Sequence, residues 1–188
     1  MDTGEPVTPT ATPPAEPSVA RAAFSWLRDL TLSVVIAIII ILFLYQPVRV
    51  EGTSMMPSLI NEERIFINKF VYRFSDIKRG DTVVFQFPRD VSKSYIKRVI
   101  GMPGDRVLVD HGTVIVNGTP LNEPYVPQDE RDQASYPEIQ VDPDCYYVLG
   151  DHRNSSNDSR NWGTVKRGYI YGKAVFVYWP LDRLGLLR

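Results

Sequence analysis

Tyr95-Ile96-Lys97-Arg98-Val99-Ile100-Gly101-Met102-Pro103-Gly104-Asp105 reads as a strand that runs into a turn. A period of two puts Tyr95, Lys97 and Val99 on one face and Ile96, Arg98 and Ile100 on the other. Met102-Pro103-Gly104-Asp105 supplies the turn signal. The same texture continues on both sides: segments 64–68, 81–87, 106–110, 113–117, 146–149 and 169–179 are rich in Val, Ile, Phe and Tyr. Turn signals stand between them at Arg79-Gly80-Asp81, His111-Gly112, Asn117-Gly118 and Gly150-Asp151. No long amphipathic helix and no internal repeat interrupts the series. Residues 48–188 are therefore expected to form one all-β domain, with a small hairpin and loop insertion at about 106–144 that holds Pro120, Pro124, Pro127, Pro137 and Pro143.

Upstream the composition changes twice. Residues 1–20 carry Pro6, Pro9, Pro13, Pro14 and Pro17 among Thr, Ala and Glu, too little apolar surface to offset the entropy of ordering, so a disordered tail is expected. Residues 21–47 are expected to be a membrane anchor with its spanning helix at about 28–46. The run from Leu30 to Tyr45 is uncharged and apolar on all sides; its 16 residues rise about 24 Å as a helix, against a hydrocarbon core of about 30 Å, and Trp26, Leu27 and Gln46 extend it. Trp26 and Tyr45 mark its two ends, and Pro47 stops it. A cleaved signal peptide, a buried core helix and a retained anchor all compete for such a run. Gln46-Pro47-Val48-Arg49-Val50-Glu51 offers no small-residue cleavage site, which favours the anchor. Arg21 and Arg28 before the run are matched by Arg49 and Arg64 after it; Arg28, closest to the apolar edge, points to a cytoplasmic N-terminus and an exported domain.

At 188 residues, 44% apolar and 23% charged, the chain has room for one core and the composition of an ordinary folded protein. A net charge of -1 argues against a nucleic-acid partner. Cys145 is the only cysteine, so no intramolecular disulfide forms and no multi-cysteine zinc site exists; in Asp144-Cys145-Tyr146-Tyr147-Val148-Leu149 it reads as a small buried hydrophobe. Ser54 lies in Glu51-Gly52-Thr53-Ser54-Met55-Met56-Pro57-Ser58, between a permissive glycine and a fixed proline. A rigid turn there presents a hydroxyl, but a turn-capping serine has the same pattern. Lys97 is a cation among apolar neighbours. On an exposed edge strand it deters aggregation; buried, it loses charge stabilisation and offers a neutral amine that takes a proton from a serine.

Four ordered segments resemble the signature segments of bacterial type I signal peptidases: Gly52-Thr53-Ser54-Met55-Met56-Pro57; Gly80-Asp81-Thr82-Val83; Tyr95 through Asp105; and Gly150-Asp151-His152-Arg153-Asn154-Ser155-Ser156-Asn157-Asp158-Ser159-Arg160. The ending from Phe176 through Trp179-Pro180 to Arg183 is similar to the family's last strand. The resemblance implies a signal-peptidase-like β fold behind one N-terminal transmembrane helix. It also implies a serine endopeptidase with a Ser/Lys dyad, Ser54 as nucleophile and Lys97 as general base, working through an acyl-enzyme. It assigns Ser156 to orient the lysine, and Asp158 and Arg160 to support the active-site loop. His152 stands where the family often has asparagine. His111 precedes a hairpin glycine, and neither histidine is needed as a base. Gly52 replaces a serine that donates to the oxyanion in some members, which leaves the Ser54 backbone N–H as the expected donor.

The substrates implied are exported preproteins cleaved after Ala-x-Ala, with Met55, Ile96, Asp81 and Val83 as candidate pocket residues. No cofactor and no metal is implied. The implied surroundings are the lipid bilayer and the protein-translocation machinery, in a bacterial cytoplasmic (inner) membrane or a thylakoid membrane where one exists. Two other readings are a membrane-tethered β module that only binds, and a self-cleaving Ser/Lys repressor. The latter needs a DNA-binding domain, and this N-terminus shows no basic recognition helix.

Overall fold

The computed structural model describes residues 19–187. It gives helix α1 (Val19–Leu44), then strands β1 (Tyr45–Arg49) and β2 (Arg64–Asn68), a one-turn helix α2 (Val71–Phe74), and the hairpin of β3 (Thr82–Phe87) and β4 (Asp90–Gly101). There follow β5 (Arg106–Asp110), β6 (Thr113–Val116), β7 (Thr119–Pro120), β8 (Tyr136–Gln140) and β9 (Cys145–Leu149). The chain finishes with α3 (Ser159–Trp162), β10 (Val165–Lys166), β11 (Ile170–Trp179) and β12 (Gly185–Leu186). The chain divides into two units, residues 1–41 and 42–188. The tail expected over residues 1–20 lies, up to residue 18, outside the described residues; Val19 already belongs to α1.

In the first unit, the 19 residues Ala23–Ile41 have a mean hydropathy of 2.0 and are not buried, so α1 is long and apolar enough to cross a membrane. Its hydroxyls are satisfied inside the helix, Thr31 donating to the Leu27 carbonyl and Ser33 to the Asp29 carbonyl, both at 2.8 Å. The helix ends earlier than the expected residue 46: Tyr45, Gln46 and Pro47 enter β1 instead.

The second unit is the all-β domain, two antiparallel sheets in the orders β1-β2-β11-β3-β4-β9-β10, with β12 on β11, and β7-β6-β5-β8. The run of buried residues in β9 explains how they join. Tyr146 and Val148 pack with Val83, Phe85 and Val99 on one face. Cys145, Tyr147 and Leu149 pack with Ile100, Val107, Val109 and Val114 on the other, where the small sheet closes over them. A strand covered on both faces has no polar side to show, hence its unbroken apolar sequence. Cys145 is buried and free, the structural role expected of it.

A third cluster of Val50, Met55, Leu59, Ile65, Ile67, Val84, Ala174 and Val177 packs the loop before β2 onto the large sheet. Of the five strands not foreseen from sequence, β1, β7, β8, β10 and β12, the first three contain Pro47, Pro120 and Pro137, and each of these three is an edge of its sheet, where a missing N–H breaks no ladder.

One of the buried ion pairs runs across this framework. The Arg98 guanidinium, 2% exposed, donates two bonds to the fully buried Asp151 carboxylate, at 2.8 and 2.7 Å, and a third to the Gly80 carbonyl at 2.9 Å. Removing one partner of such a pair strands the other charge without water. Asp151→Ala is expected to lower unfolding stability by about 3–5 kcal/mol in denaturant titration, whereas the exposed pair Arg28–Asp29 contributes at most about 1 kcal/mol.

Candidate active site

The loop between β1 and β2 is tied at its base by reciprocal backbone bonds, Val50 N–H to Glu63 O at 2.7 Å and Glu62 N–H to Val50 O at 2.9 Å. Within it Gly52 adopts φ 96°, a left-handed conformation that glycine takes at little cost, and its N–H donates to the Asn61 side chain at 2.8 Å. Met55 and Leu59 sink into the core and are joined by a 2.8 Å backbone bond. Ser54, between this glycine and the buried methionine, is left half-buried on the loop's inner side.

Lys97 comes from the middle of β4, not from an edge strand: β3 pairs on one side through Val83↔Lys97, and β9 on the other through Arg98↔Leu149. The edge-strand explanation is therefore removed. The side chain is 4% exposed. Its Nζ stands 2.6 Å from Ser54 Oγ and 3.0 Å from the Ile96 carbonyl, which accepts from it. Burial pushes the amine down to about 8, against a smaller upward pull from the Asp158 and Asp151 carboxylates. Both carboxylates are already occupied. Arg98 holds Asp151, and Arg160 Nε and Nη2 each donate to Asp158 at 2.8 Å.

The loop from Gly150 to Trp162 is fastened around this centre. Asp158 caps α3 by accepting from the Arg160 N–H and also accepts from the Gly150 N–H at 3.1 Å. Arg160 goes on to Asp132 and to the Arg153 carbonyl, and Arg153 makes a buried pair with Glu123. Asp158 and Arg160 thus tie the two ends of this loop together. The expected hydrogen bond from Ser156 to Lys97 is not made. Ser156 Oγ is buried without a partner among the described residues, while Nζ is engaged by Ser54 and the Ile96 carbonyl.

A cavity of about 450 Å³ opens beside Ser54 and Lys97, walled by Val50, Met55, Ile67, Val84, Ile96 and Tyr171. Met55 and Ile96 are among the residues that line it. Asp81 and Val83 do not, and their placement is corrected. Alternation along β3 turns Val83 to the opposite face, into the Phe85 and Val99 cluster, and presents Val84 to the cavity. Asp81 accepts from Tyr72, from the Lys78 N–H and from Lys173.

Sequence reading passed over Arg98, Asp151 and Gly150. Arg98 carries the same signal as Lys97, a cation inside an apolar strand. Gly150 is constrained by approach: a Cβ there would lie 2.3 Å from the Ser54 carbonyl and 2.2 Å from Ser156 Oγ, so only glycine lets the end of β9 meet the Ser54 loop. Among the described residues no group of His, Cys, Asp and Glu is arranged to hold a metal ion.

A buried amine lowered from 10.5 to about 8 makes the folded state bind fewer protons than the unfolded state between those values. Stability is therefore least below about 8 and rises as pH climbs from there toward 10.5. Lys97→Met is expected to raise the melting temperature at pH 7, by a gain on the order of 2 kcal/mol after allowing for the orphaned Ser54 hydroxyl. The gain should shrink through that window, as thermal melts across pH will test.

A profile for the family described as signal peptidase, peptidase S26, matches residues 23–179. The chain is 39% identical to signal peptidase I of Leptolyngbya laminosa, across 99% of this chain and 95% of that protein. It is 40% identical to a probable signal peptidase I-2 of Synechocystis (87% and 78%), and 36% identical to signal peptidase I P of Bacillus subtilis subsp. natto (85% and 90%). A crystal structure of a signal peptidase I from Enterococcus faecalis aligns with a TM-score of 0.47 at 30% identity, over 53% of this chain and 97% of the other. With the family match running through both the Ser54 loop and the Lys97 strand, the chain belongs to the signal peptidase family, peptidase S26.

Proposed function

We propose that this chain, a serine endopeptidase by family, removes signal peptides from exported preproteins by a Ser54/Lys97 dyad, while α1 holds it in a membrane. The observation that carries the reading is the 2.6 Å approach of Lys97 Nζ to Ser54 Oγ, at a lysine buried enough to lose its proton near pH 8. Neutral Lys97 takes the Ser54 proton as Oγ attacks the scissile carbonyl. The ammonium so formed gives that proton to the leaving amine, and the acyl-enzyme remains on Ser54. Lys97, neutral again, activates water to release the acyl group. The oxyanion is met by the Ser54 N–H, which no hydrogen bond engages among the described residues.

The apolar walls of the cavity suit small side chains better than charged ones, consistent with cleavage after Ala-x-Ala. Asp158 and Arg160 keep the 150–162 loop beside the dyad. Ser156, near the Ser54 carbonyl through Gly150, reaches the lysine only if its side chain turns. The proposed setting is a bacterial cytoplasmic membrane, or a thylakoid membrane where present, with the N-terminus cytoplasmic, the domain exported, and the translocation machinery close by.

Purified protein in detergent, incubated with a preprotein, is expected to release the mature chain, and Ser54→Ala to release none; cleavage unchanged by that substitution would sink the peptidase reading. Single-turnover cleavage should rise about tenfold per pH unit below pH 8 and level off above it, because only the neutral amine accepts the proton. Lys97→Arg, which stays charged, should cost about 10²–10⁴-fold at every pH. A flat pH profile, or an active arginine variant, would exclude Lys97 as the base.

A further inference from the structure

His152 sits where the 150–162 loop meets the nucleophile loop, and its backbone N–H and both ring nitrogens reach other segments. Its backbone N–H donates to the Ser54 carbonyl at 3.2 Å, and its ring Nδ1 stands 3.2 Å from the Thr53 carbonyl oxygen. Its Nε2 contacts a carboxylate oxygen of Glu130, in the short turn Gln128–Glu130 of the insertion. That oxygen is buried and has no other polar partner among the described residues.

A carbonyl oxygen only accepts, so Nδ1 bonds Thr53 by donating a proton. Nε2, on the far side of the ring, lies against the Glu130 carboxylate.

The Thr53 C=O and the Ser54 N–H belong to one planar trans peptide unit and point in opposite directions. The Met56 N–H also donates to that carbonyl, at 3.0 Å, so His152 acts together with this turn in fixing the direction of the Ser54 N–H expected to meet the oxyanion. We propose that His152 is a positioning residue that orients the Thr53–Ser54 peptide for oxyanion binding. This rests on the peptidase reading and deepens it. The effect belongs to the transition state, where charge develops on the oxygen, and leaves ground-state binding of the preprotein largely alone.

Asparagine carries its side-chain nitrogen the same number of bonds from Cα as His Nδ1, so it keeps the donor to Thr53 but gives up the contact with Glu130. Leucine keeps bulk and gives up both. The test measures kcat and KM of the full chain in detergent on a preprotein, per folded molecule by circular dichroism, for wild type, Ser54→Ala, His152→Ala, His152→Leu and His152→Asn. The expected result is a kcat lowered about tenfold or more in the Ala and Leu variants, with KM within about twofold, and an Asn variant within about threefold of wild type. Ala and Leu variants with wild-type kcat, a loss confined to KM, or an Asn variant as slow as Leu would each overturn the proposal. A wild-type rate no higher than that of Ser54→Ala would instead overturn the peptidase reading, and this one with it.

Discussion

Two neighbouring cations, Lys97 and Arg98, are buried side by side in β4, and only one of them is given a counter-charge. Arg98 is held in a bidentate pair by Asp151, while Lys97 meets a hydroxyl and a carbonyl. Burial without a carboxylate partner is what lowers the amine toward neutrality. Asp151 and Asp158, the two carboxylates that pull the amine back toward its charged form, are paired with Arg98 and Arg160.

Such an arrangement demands that three chain segments converge on one point. The Ser54 loop is driven down by Met55 and Leu59 entering the core. Lys97 is delivered by a central strand whose register is set on both sides. The end of β9 comes close enough only because residue 150 has no side chain to collide with the Ser54 carbonyl. The insertion is tied into the same centre by Glu123 on Arg153, Asp132 on Arg160 and Glu130 on His152. The small sheet is thus more than a cover for β9, since its loops supply three of the carboxylates that hold the active-site loop.

Much of this was legible in the residues. Seven of the strands announced themselves by β-branched and aromatic runs between glycine turns, and Lys97 by its apolar neighbours. Strands at sheet edges did not: Pro47 in β1 reads as a helix stop, and Pro137 in β8 reads as loop, because sequence does not reveal which strands lack a neighbour. The cavity side of β3 was hidden for a related reason. Thr82, Val83, Val84 and Phe85 are all buried, so alternation carries no sign of which face looks onto the cavity. The pairing of Arg98 with Asp151, 53 residues apart, is a tertiary fact with no local trace.

Lys97, buried without a counter-charge, loses its proton near pH 8, and its ionisation can be observed directly. In protein carrying ¹³Cε-labelled lysine, with the Lys97 resonance assigned by its loss in Lys97→Met, the shift is followed from pH 6 to 11. The account predicts a midpoint of about 8, set apart from the other lysines. A midpoint at the ordinary lysine value of about 10.4 would contradict it.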